Sequence, residues 1–297
     1  MFSLVFPGQG SQTVGMARDF YQNFDLVKKL FNQADEILGI KISQTILEGP
    51  KENLDMTENT QPAIFLVGHS IYQVAIREFN LNLNEATFAA GHSLGEYTAL
   101  SCLGSLKFSE GLKILKIRGK SMQNSVPVGE GGMIAVIGMK IEELDKIILD
   151  NANNFNCYIA NDNTNGQVVV SGKTDQLKKF MEILKENKIK SIKLPVSAPF
   201  HCPLMNKASK IMSEEIKKLD IKMPQIKILS NVNAKEVDNV SDLKKLLISQ
   251  IESRVRWREI INSIIHNNCN NFIEIGPGKV LSGLVKRIDR EVKVSAI

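Results

Sequence analysis

Thr87-Phe88-Ala89-Ala90, followed directly by Gly91-His92-Ser93-Leu94-Gly95, is the stretch of sequence that decides the fold. The first segment is an apolar run that predicts a short buried strand, and a helical pattern begins at Ser93 or Leu94. A G-x-S-x-G element between a strand and a helix is typical of a nucleophile elbow, a sharp turn that exposes a serine. Glycine-flanked serines also occur by chance in loops, but the flanking strand and helix favour the elbow. We therefore predict an α/β fold with Ser93 as a candidate nucleophile.

The rest of the chain indicates a large α/β domain interrupted by a small insertion. Before and after the insertion, apolar segments alternate between strand and helix patterns. Between residues 125 and 197 the order becomes β-α-β-β-α-β, the split arrangement of ferredoxin-like domains. We predict a large α/β-hydrolase-like domain over residues 1–124 and 198–297 and a small ferredoxin-like subdomain over residues 125–197, with the active site between them.

Individual elements follow from the spacing of apolar residues and from the positions of glycine and proline. In the large domain we predict a strand over Phe2–Phe6, one helix from Gly15 to about Leu38, a helix that begins near Gln61-Pro62, and a strand over Ile226–Asn231. In the insertion the predicted strands are Met133–Ile137, Tyr158–Ala160, Gln167–Val170 and Ser191–Leu194, and the predicted helices are Ile141–Asn151 and Thr174–Asn187.

Composition and charge are those of an ordinary globular protein. The chain has 297 residues, of which 43% are hydrophobic and 23% charged, and its 37 basic and 32 acidic residues give a net charge of +5. This mild excess does not indicate nucleic-acid binding. The apolar runs are shorter than the ~20 residues of a membrane span, and the first residues lack the features of a signal peptide. We expect a cytoplasmic protein with no nucleic-acid or membrane partner.

Motifs for metals, disulfides and nucleotides are incomplete. The four cysteines form no C-x-x-C pair and no two histidines have a metal-ligand spacing, so we expect neither a metal site nor a disulfide framework. Gly8-Gln9-Gly10 is not a dinucleotide fingerprint, because Thr13 stands where a third glycine is needed. Gly172-Lys173-Thr174 is not a P-loop, because Gln167 stands where its first glycine is needed.

A serine nucleophile needs a base, and four histidines are candidates. His92 adjoins Ser93, but on an elbow its side chain is expected to point elsewhere. His69 and His266 lie in predicted helices, where packing or surface roles are the simpler interpretation. His201 lies between prolines at positions 199 and 203, which fix the backbone and suit an imidazole held in one pose. The residues alone do not decide whether His201 is the base.

Arg118 is a candidate for substrate binding. It lies among apolar residues on a predicted helix that runs from Ser109 to about Asn124. A solvated surface arginine is the usual outcome for such a position. The alternative is a bidentate clamp on a carboxylate, which a guanidinium forms and a lysine does not. The residues alone leave both interpretations open.

Together these segments resemble the malonyl-CoA:acyl-carrier-protein transacylases of fatty-acid synthesis and the related acyltransferase domains of polyketide synthases. They occur in the order found in that family and span nearly the whole chain, which favours the stand-alone enzyme. The matching segments are Phe6-Pro7-Gly8-Gln9-Gly10-Ser11-Gln12, Thr60-Gln61-Pro62-Ala63, Gly91-His92-Ser93-Leu94-Gly95-Glu96-Tyr97, Arg118-Gly119, His201 and Glu274-Ile275-Gly276-Pro277-Gly278.

The resemblance implies a catalytic role for five of the matching residues. Ser93 corresponds to the nucleophile that accepts the acyl group, and His201 to its general base. Gln9 and Leu94 correspond to the residues whose backbone N–H groups form the oxyanion hole. Arg118 corresponds to the arginine that pairs with the free carboxylate of the malonyl group.

Three further positions correspond to family residues less directly. Gln250, in Leu247-Ile248-Ser249-Gln250, resembles the residue whose backbone carbonyl orients the histidine in place of the acidic member of an ordinary triad. Asn231 resembles a position near the pocket for which no role is assigned. Phe200 resembles the bulky residue of relatives that prefer malonyl over methylmalonyl groups.

The resemblance also implies the reaction and its partners. A malonyl group would pass from malonyl-CoA to Ser93 and then to the phosphopantetheine thiol of acyl carrier protein, with ping-pong kinetics. The transfer would need no metal, nucleotide or redox cofactor. Acyl carrier proteins are acidic, which is compatible with the small positive charge of this chain. We expect the enzyme to be a monomer.

Two other kinds of function share parts of this pattern. A serine hydrolase of the α/β-hydrolase type would require an acidic residue between the serine and the histidine in sequence. A scaffold protein that has kept the fold without activity would not need every motif residue, yet all are present. The acidic candidates for a hydrolase, all within the predicted small subdomain, are Asp145, Asp150, Asp162 and Asp175.

Overall fold

The computed structural model describes residues 1–196 and 198–297, and its strands form a five-stranded sheet and a four-stranded sheet. The mixed α/β class predicted from the sequence is confirmed. In chain order the strands are β1 (Phe2–Phe6), β2 (Ala86–Gly91), β3 (Gly131–Ile137), β4 (Cys157–Thr164), β5 (Gln167–Lys173), β6 (Lys190–Lys193), β7 (Lys227–Ile228), β8 (Asn271–Glu274) and β9 (Lys293–Ala296).

Helices lie between most of these strands and cover the sheets. None of the described helices combines the length and the apolar composition that a membrane crossing requires. In chain order they are α1 (Arg18–Asn23), α2 (Asp25–Leu38), α3 (Ile42–Leu47), α4 (Lys51–Asp55), α5 (Thr57–Arg77), α6 (Gly95–Cys102), α7 (Phe108–Gln123), α8 (Ile141–Asp150), α9 (Thr174–Glu186), α10 (Asn206–Lys218), α11 (Val240–Ser249), α12 (Trp257–His266) and α13 (Val280–Ile288).

The larger sheet is parallel throughout, with the strand order β7-β2-β1-β8-β9. All residues of the central strand β1 are buried. Because side chains alternate across a strand, Leu4 and Phe6 pack into one core while Val5 packs into another on the opposite face. A parallel sheet covered on both faces explains why β1 is apolar along nearly its whole length.

The carboxyl ends of β1 and β2 lie side by side, since Phe6 pairs with Gly91. The chain leaves β1 into the loop that contains Gln9, and it leaves β2 into the turn that contains Ser93. In parallel α/β sheets this edge is where ligands bind. The topology therefore brings the first and third sequence motifs to one place although they are more than eighty residues apart.

The smaller sheet is antiparallel, with the strand order β4-β5-β3-β6. Its elements follow the predicted order β-α-β-β-α-β along the chain. Ile134 and Val136 of β3 pack with α8 and α9 into a core of their own, whereas Met133 and Ala135 face the main core. One face of the small sheet thus belongs to the same hydrophobic core as the large one.

A short segment after α11 joins the two sheets. The Asp162 backbone N–H donates to the Val255 carbonyl over 2.9 Å, and the Val255 N–H donates to the Ala160 carbonyl over 2.8 Å. The Asp162 carboxylate, which is fully buried, accepts two hydrogen bonds from Nε of Arg258 at 3.0 and 3.1 Å. These contacts fix the small sheet against α12 and the segment before it.

Several predicted boundaries differ from the structure. Strands β4 and β5 run on to Thr164 and Lys173, beyond the predicted ends at Ala160 and Val170. The helix expected from Gly15 to about Leu38 is two helices, because Phe24 has an extended backbone with φ −125° and ψ 113°. Helix α5 begins at Thr57 rather than near Gln61-Pro62, since its first turn is polar and carries no apolar pattern. The strand expected over Ile226–Asn231 is limited to β7, after which the chain turns. The predicted domain boundary at 197 lies outside the described residues.

Candidate active site

Ser93 lies on a tight turn between β2 and α6. Its φ of 54° is in the left-handed region, which side-chain-bearing residues adopt rarely. A Cβ at Gly91 would lie 1.9 Å from the carbonyl carbon of Gly95, and a Cβ at Gly95 would lie 2.1 Å from the carbonyl oxygen of Phe6. Both glycines are therefore required by close backbone approach, as expected for an elbow.

His201 and Ser93 form a hydrogen-bonded pair. The distance from Ser93 Oγ to His201 Nε2 is 2.8 Å, and His201 Nδ1 lies 2.9 Å from the backbone carbonyl oxygen of Gln250. A carbonyl only accepts, so Nδ1 carries the ring proton and donates it. Nε2 then has a free lone pair that points at the serine hydroxyl, the arrangement required of a general base.

His201 is neutral at physiological pH. Burial, together with the nearby positive charge of Arg118, lowers the pKa of His201 to about 3. Only 4% of the residue is exposed. A base that is already deprotonated can take the serine proton without a prior ionisation step.

Arg118 is buried beside the serine, so the solvated interpretation of this residue is wrong. It is 1% exposed, and its Nη2 donates to Ser93 Oγ over 3.1 Å and to Oε1 of Gln250 over 2.9 Å. Nη1 donates to Oε1 of Gln61 over 2.8 Å. Its carbon Cζ lies 5.6 Å from the centre of the Tyr97 ring. The guanidinium is thus held with one edge at the nucleophile, where it can pair with an acidic group on a bound acyl chain.

The side chains of Asn231 and Gln250 form hydrogen bonds with the backbone of the elbow. Asn231 Oδ1 accepts from the Ser93 N–H over 2.7 Å, and its Nδ2 donates to the Gly91 carbonyl over 2.7 Å. Gln250 Nε2 donates to the Ser93 carbonyl over 3.1 Å. Both side chains are fully buried. Because these bonds satisfy the turn's backbone groups, they stabilise its unusual conformation.

Of the two backbone groups expected to form an oxyanion hole, one lies directly after Ser93 and the other in a loop packed against the elbow. Leu94 follows Ser93 at the start of α6, and Gln9 lies in the loop after β1. That loop is pressed against the elbow, since a Cβ at Gly8 would lie 2.5 Å from the His92 carbonyl oxygen. Among the described residues no acceptor pairs with the N–H of Gln9 or of Leu94. Both donors remain available to a negatively charged oxygen.

An open cleft of about 470 Å³ leads from solvent to His201. Its walls come from both parts of the molecule, with Tyr158 on the small sheet and Val232 and Arg256 on the large part of the chain. The cleft provides a route by which an extended ligand can reach the histidine. Its described lining includes His201 but neither Ser93 nor Arg118.

The remaining histidines take no part in this arrangement. His92 is directed away from Ser93, as predicted, and its Nε2 lies 2.9 Å from Oδ1 of Asn163 on the small sheet. His69 packs in the core between α5 and α6, where burial lowers its pKa to about 4. His266 is the last residue of α12.

Gln61 and Glu96 are buried residues of the site that belong to the matching motifs but to which the sequence assigns no role. Gln61 anchors Arg118, and Glu96 accepts a hydrogen bond from Gln250 Nε2 over 2.7 Å. The signal that could have found Glu96 is its spacing, since a residue three positions after the nucleophile in a helical pattern lies on the same face. Its partners could not be found this way, because they are more than 130 residues away.

Comparison with known proteins agrees with this geometry. A model of the acyl transferase domain matches residues 3–296. The malonyl CoA-acyl carrier protein transacylase of Bacillus subtilis (strain 168) is 40% identical over 99% of this chain and 92% of its own length. An acyl-carrier-protein S-malonyltransferase from Bartonella henselae superposes with a TM-score of 0.96 at 37% identity, over 100% of this chain and 95% of that one.

A third similar structure contains a partner. It holds a type II polyketide synthase acyl-carrier protein in complex with its malonyl-transacylase, and it superposes with a TM-score of 0.94 at 34% identity, over 100% of this chain and 95% of that chain. The family model and the curated relative each cover nearly the whole of the chain. The chain therefore belongs to the malonyl CoA-acyl carrier protein transacylase family of acyl transferase domains.

Proposed function

We propose that this acyltransferase moves a malonyl group from malonyl-CoA to the phosphopantetheine thiol of acyl carrier protein through a malonyl ester of Ser93. The observation that carries the proposal is the line of contacts from Ser93 Oγ to His201 Nε2 (2.8 Å) and from His201 Nδ1 to the Gln250 carbonyl (2.9 Å), with Arg118 beside the hydroxyl at 3.1 Å. The nucleophile Ser93 thus lies within hydrogen-bond distance of a neutral base, His201, and of a guanidinium that can bind a carboxylate, Arg118.

In the first half-reaction Ser93 becomes acylated. His201 Nε2 takes the hydroxyl proton while Oγ bonds to the thioester carbonyl carbon, and the carbonyl oxygen becomes an oxyanion that accepts from the N–H groups of Gln9 and Leu94. Loss of one such donor typically costs ~10²–10³ in rate. The C–S bond then breaks, and the CoA sulfur leaves with the proton that His201 held.

In the second half-reaction the carrier protein accepts the group. The phosphopantetheine thiol gives its proton to His201, its sulfur bonds to the ester carbonyl carbon, and Ser93 Oγ leaves with that proton. The names of the relatives and the complex that contains an acyl-carrier protein support this partner. Since one thioester replaces another, the reaction is reversible, and the covalent intermediate on Ser93 gives ping-pong kinetics.

Arg118 selects the acyl group in this proposal. A buried guanidinium is costly to leave without an anion, and its acceptors in the described structure are neutral groups. The free carboxylate of a malonyl group supplies the missing anion, whereas an acetyl group does not. Phe200, which is 6% exposed and precedes His201, would limit the space for a methyl branch.

A hydrolase remains the principal alternative, and the contacts of His201 disfavour it. The atom that would face an acidic residue in a hydrolase triad, Nδ1, faces a backbone carbonyl. Of the acidic candidates in the insertion, Asp162 pairs with Arg258 and Asp145 lies 3.7 Å from Arg254. A neutral carbonyl stabilises an imidazolium less than a carboxylate does, which suits a reversible transfer between two thioesters.

The finer description of the fold also belongs to this proposal. We assign residues 1–124 and 198–297 to an α/β-hydrolase-like domain, supported by the parallel sheet and the elbow. We assign residues 125–197 to a ferredoxin-like subdomain, supported by the order of its elements and its antiparallel sheet. We further propose that the enzyme needs no metal or redox cofactor, because a thioester is already activated for transfer. We also propose that it is a cytoplasmic monomer.

Mass spectrometry of the protein after exposure to malonyl-CoA tests the function. We expect a mass increase of one malonyl group on Ser93, and its loss when acyl carrier protein is added. Ser93→Ala should abolish the adduct, while Ser101→Ala, which changes a serine of α6 that is hydrogen-bonded to His69, should not. Rapid release of free malonate without carrier protein would favour the hydrolase, and an adduct that persists in Ser93→Ala would exclude Ser93.

A further inference from the structure

Glu96 is a fully buried acidic residue in the first turn of α6, three residues after Ser93. Its Oε2 accepts from Nε2 of Gln250 over 2.7 Å and from the backbone N–H of Asn231 over 3.3 Å. Its Oε1 has no hydrogen-bond partner in the described structure. Burial of a carboxylate is costly unless it is hydrogen-bonded and paired with an opposite charge.

Glu96 fixes which way the Gln250 amide points. Arg118 only donates hydrogen bonds and an ionised carboxylate only accepts them. The Gln250 oxygen must therefore face Arg118, at 2.9 Å, and its nitrogen must face Glu96, at 2.7 Å. The same residue presents its backbone carbonyl to His201. Gln250 therefore connects Glu96 to both His201 and Arg118.

Glu96 also supports the nucleophile. It accepts from the backbone N–H of Asn231, whose side chain holds the Ser93 N–H and the Gly91 carbonyl. Asn231 and Gln250 come from different parts of the chain, after β7 and after α11 respectively. The carboxyl group of Glu96 thus lies where the supports of Ser93 and of His201 converge.

The charge of Glu96 offsets that of Arg118. The acceptors of the guanidinium are neutral, and the nearest connection to an anion runs through the Gln250 amide to Glu96. An amide between a guanidinium and a carboxylate is polarised by both and transmits part of the attraction. Burial raises the pKa of Glu96 to about 7, against the opposing effect of its hydrogen bonds and of Arg118, so that a pH above neutrality favours the carboxylate.

We propose that Glu96 is a positioning residue of the acyl transfer: its carboxylate orients Gln250, and through it His201 and Arg118, and it is the counter-charge of Arg118 until a malonyl carboxylate binds. The inference rests on the proposed function. It assigns Glu96 two separable properties, a hydrogen-bond acceptor for Gln250 and a negative charge near Arg118.

Two variants separate these properties, and a third is the control. Glu96→Gln keeps an oxygen acceptor of the same size but removes the charge, whereas Glu96→Ala removes both. Thr98→Val changes another buried residue of α6, whose Oγ1 has no hydrogen-bond partner in the described structure, without touching the network. Rates of Ser93 acylation by malonyl-CoA and by acetyl-CoA are measured at pH 8 for each protein, with its melting temperature.

Glu96→Ala should lower kcat for both acyl groups by about 10- to 100-fold, since small displacements of catalytic groups have effects of this size. Glu96→Gln should keep the kcat for acetyl transfer within about threefold of the wild type, because the hydrogen bond is retained. It should also lower the KM for malonyl-CoA by about fivefold, a typical coupling between sites, and leave the KM for acetyl-CoA unchanged. Thr98→Val should match the wild type.

Two results would overturn the positioning role: a Glu96→Ala enzyme as fast as the wild type, or equal kcat losses in Glu96→Gln, Glu96→Ala and Thr98→Val. An unchanged KM for malonyl-CoA in Glu96→Gln would overturn the counter-charge role. If Glu96→Ala does not fold, the malonyl KM of Glu96→Gln still tests the counter-charge role, and a fall in its acetyl kcat well beyond threefold would contradict the positioning role. Failure of the proposed function is distinct, because it would appear as an absence of malonylated Ser93 in the wild type.

Discussion

Replacement of Arg118 by alanine is the most direct test of how this site chooses its acyl group. The side chain is 1% exposed and donates to Gln61, Ser93 and Gln250 over 2.8 to 3.1 Å. In Arg118→Ala these acceptors lose a donor, and a bound malonyl carboxylate would lie in a buried site without a cation. An acetyl group has no carboxylate and therefore loses no ion pair by the change.

The expected magnitude follows from the hydrogen bonds that a bidentate guanidinium forms with a carboxylate. Each hydrogen bond to a charged group contributes about 1.5–3 kcal/mol. Two of them amount to roughly 3–6 kcal/mol, and each 1.4 kcal/mol is tenfold. We therefore expect kcat/KM for malonyl-CoA to fall by about 10²- to 10⁴-fold, with acetyl transfer unchanged or increased.

The assay compares the acylation of Ser93 by malonyl-CoA and acetyl-CoA in the wild type, Arg118→Ala and Arg118→Lys. Lysine keeps the charge but loses the planar fork, so its malonyl transfer should lie between the other two. Thermal unfolding of each variant shows whether the fold is retained. Equal losses for both acyl groups in a variant with an unchanged melting temperature would refute the role of Arg118 in selectivity.

Three further substitutions test the fold around the site. Gly95→Ala places a Cβ 2.1 Å from the Phe6 carbonyl oxygen, so we expect it to lower the free energy of unfolding by at least about 2 kcal/mol and to slow acylation. Asp162→Asn removes a buried partner of Arg258, and urea denaturation should show a loss of about 2–3 kcal/mol. Burial lowers the pKa of His69 to about 4. Below pH 6.5 the unfolded chain therefore takes up a proton that the native protein does not, so the free energy of unfolding decreases as the pH is lowered. His69→Gln should remove about 2 kcal/mol of that fall between pH 6.5 and 5, measured by urea denaturation at both values.

Much of the fold could be predicted from local patterns. The apolar run Phe2–Phe6 and the βαββαβ order of the insertion appear in the structure as predicted. The errors occur where a pattern is interrupted. The polar first turn of α5 has no apolar periodicity, and the break at Phe24 comes from packing, since its ring lies 5.9 Å from Phe20 and 6.0 Å from Phe79. Contacts of this kind are not encoded in the spacing of neighbouring residues.

The residues of the candidate site differ in how well the sequence alone predicts them. Ser93 lies in a local motif with its own strand and helix, and the structure has the expected turn. Neither His201 nor Arg118 could be selected from its surroundings, and both were assigned only through the family resemblance. The structure brings them within 3.1 Å of Ser93 Oγ. Their catalytic roles stay predictions until the variants are measured.

The sequence by itself determined the elements, the elbow and the nucleophile candidate, because strand, turn and helix depend on residues close together in the chain. Only the tertiary structure decided that Arg118 is buried and that Gln250 meets it with its side chain and His201 with its backbone. It also placed the Glu96 carboxyl group against the Gln250 side chain and the Asn231 backbone. The reason is physical: burial and the direction of a hydrogen bond depend on what packs nearby, and here the partners come from segments more than a hundred residues apart.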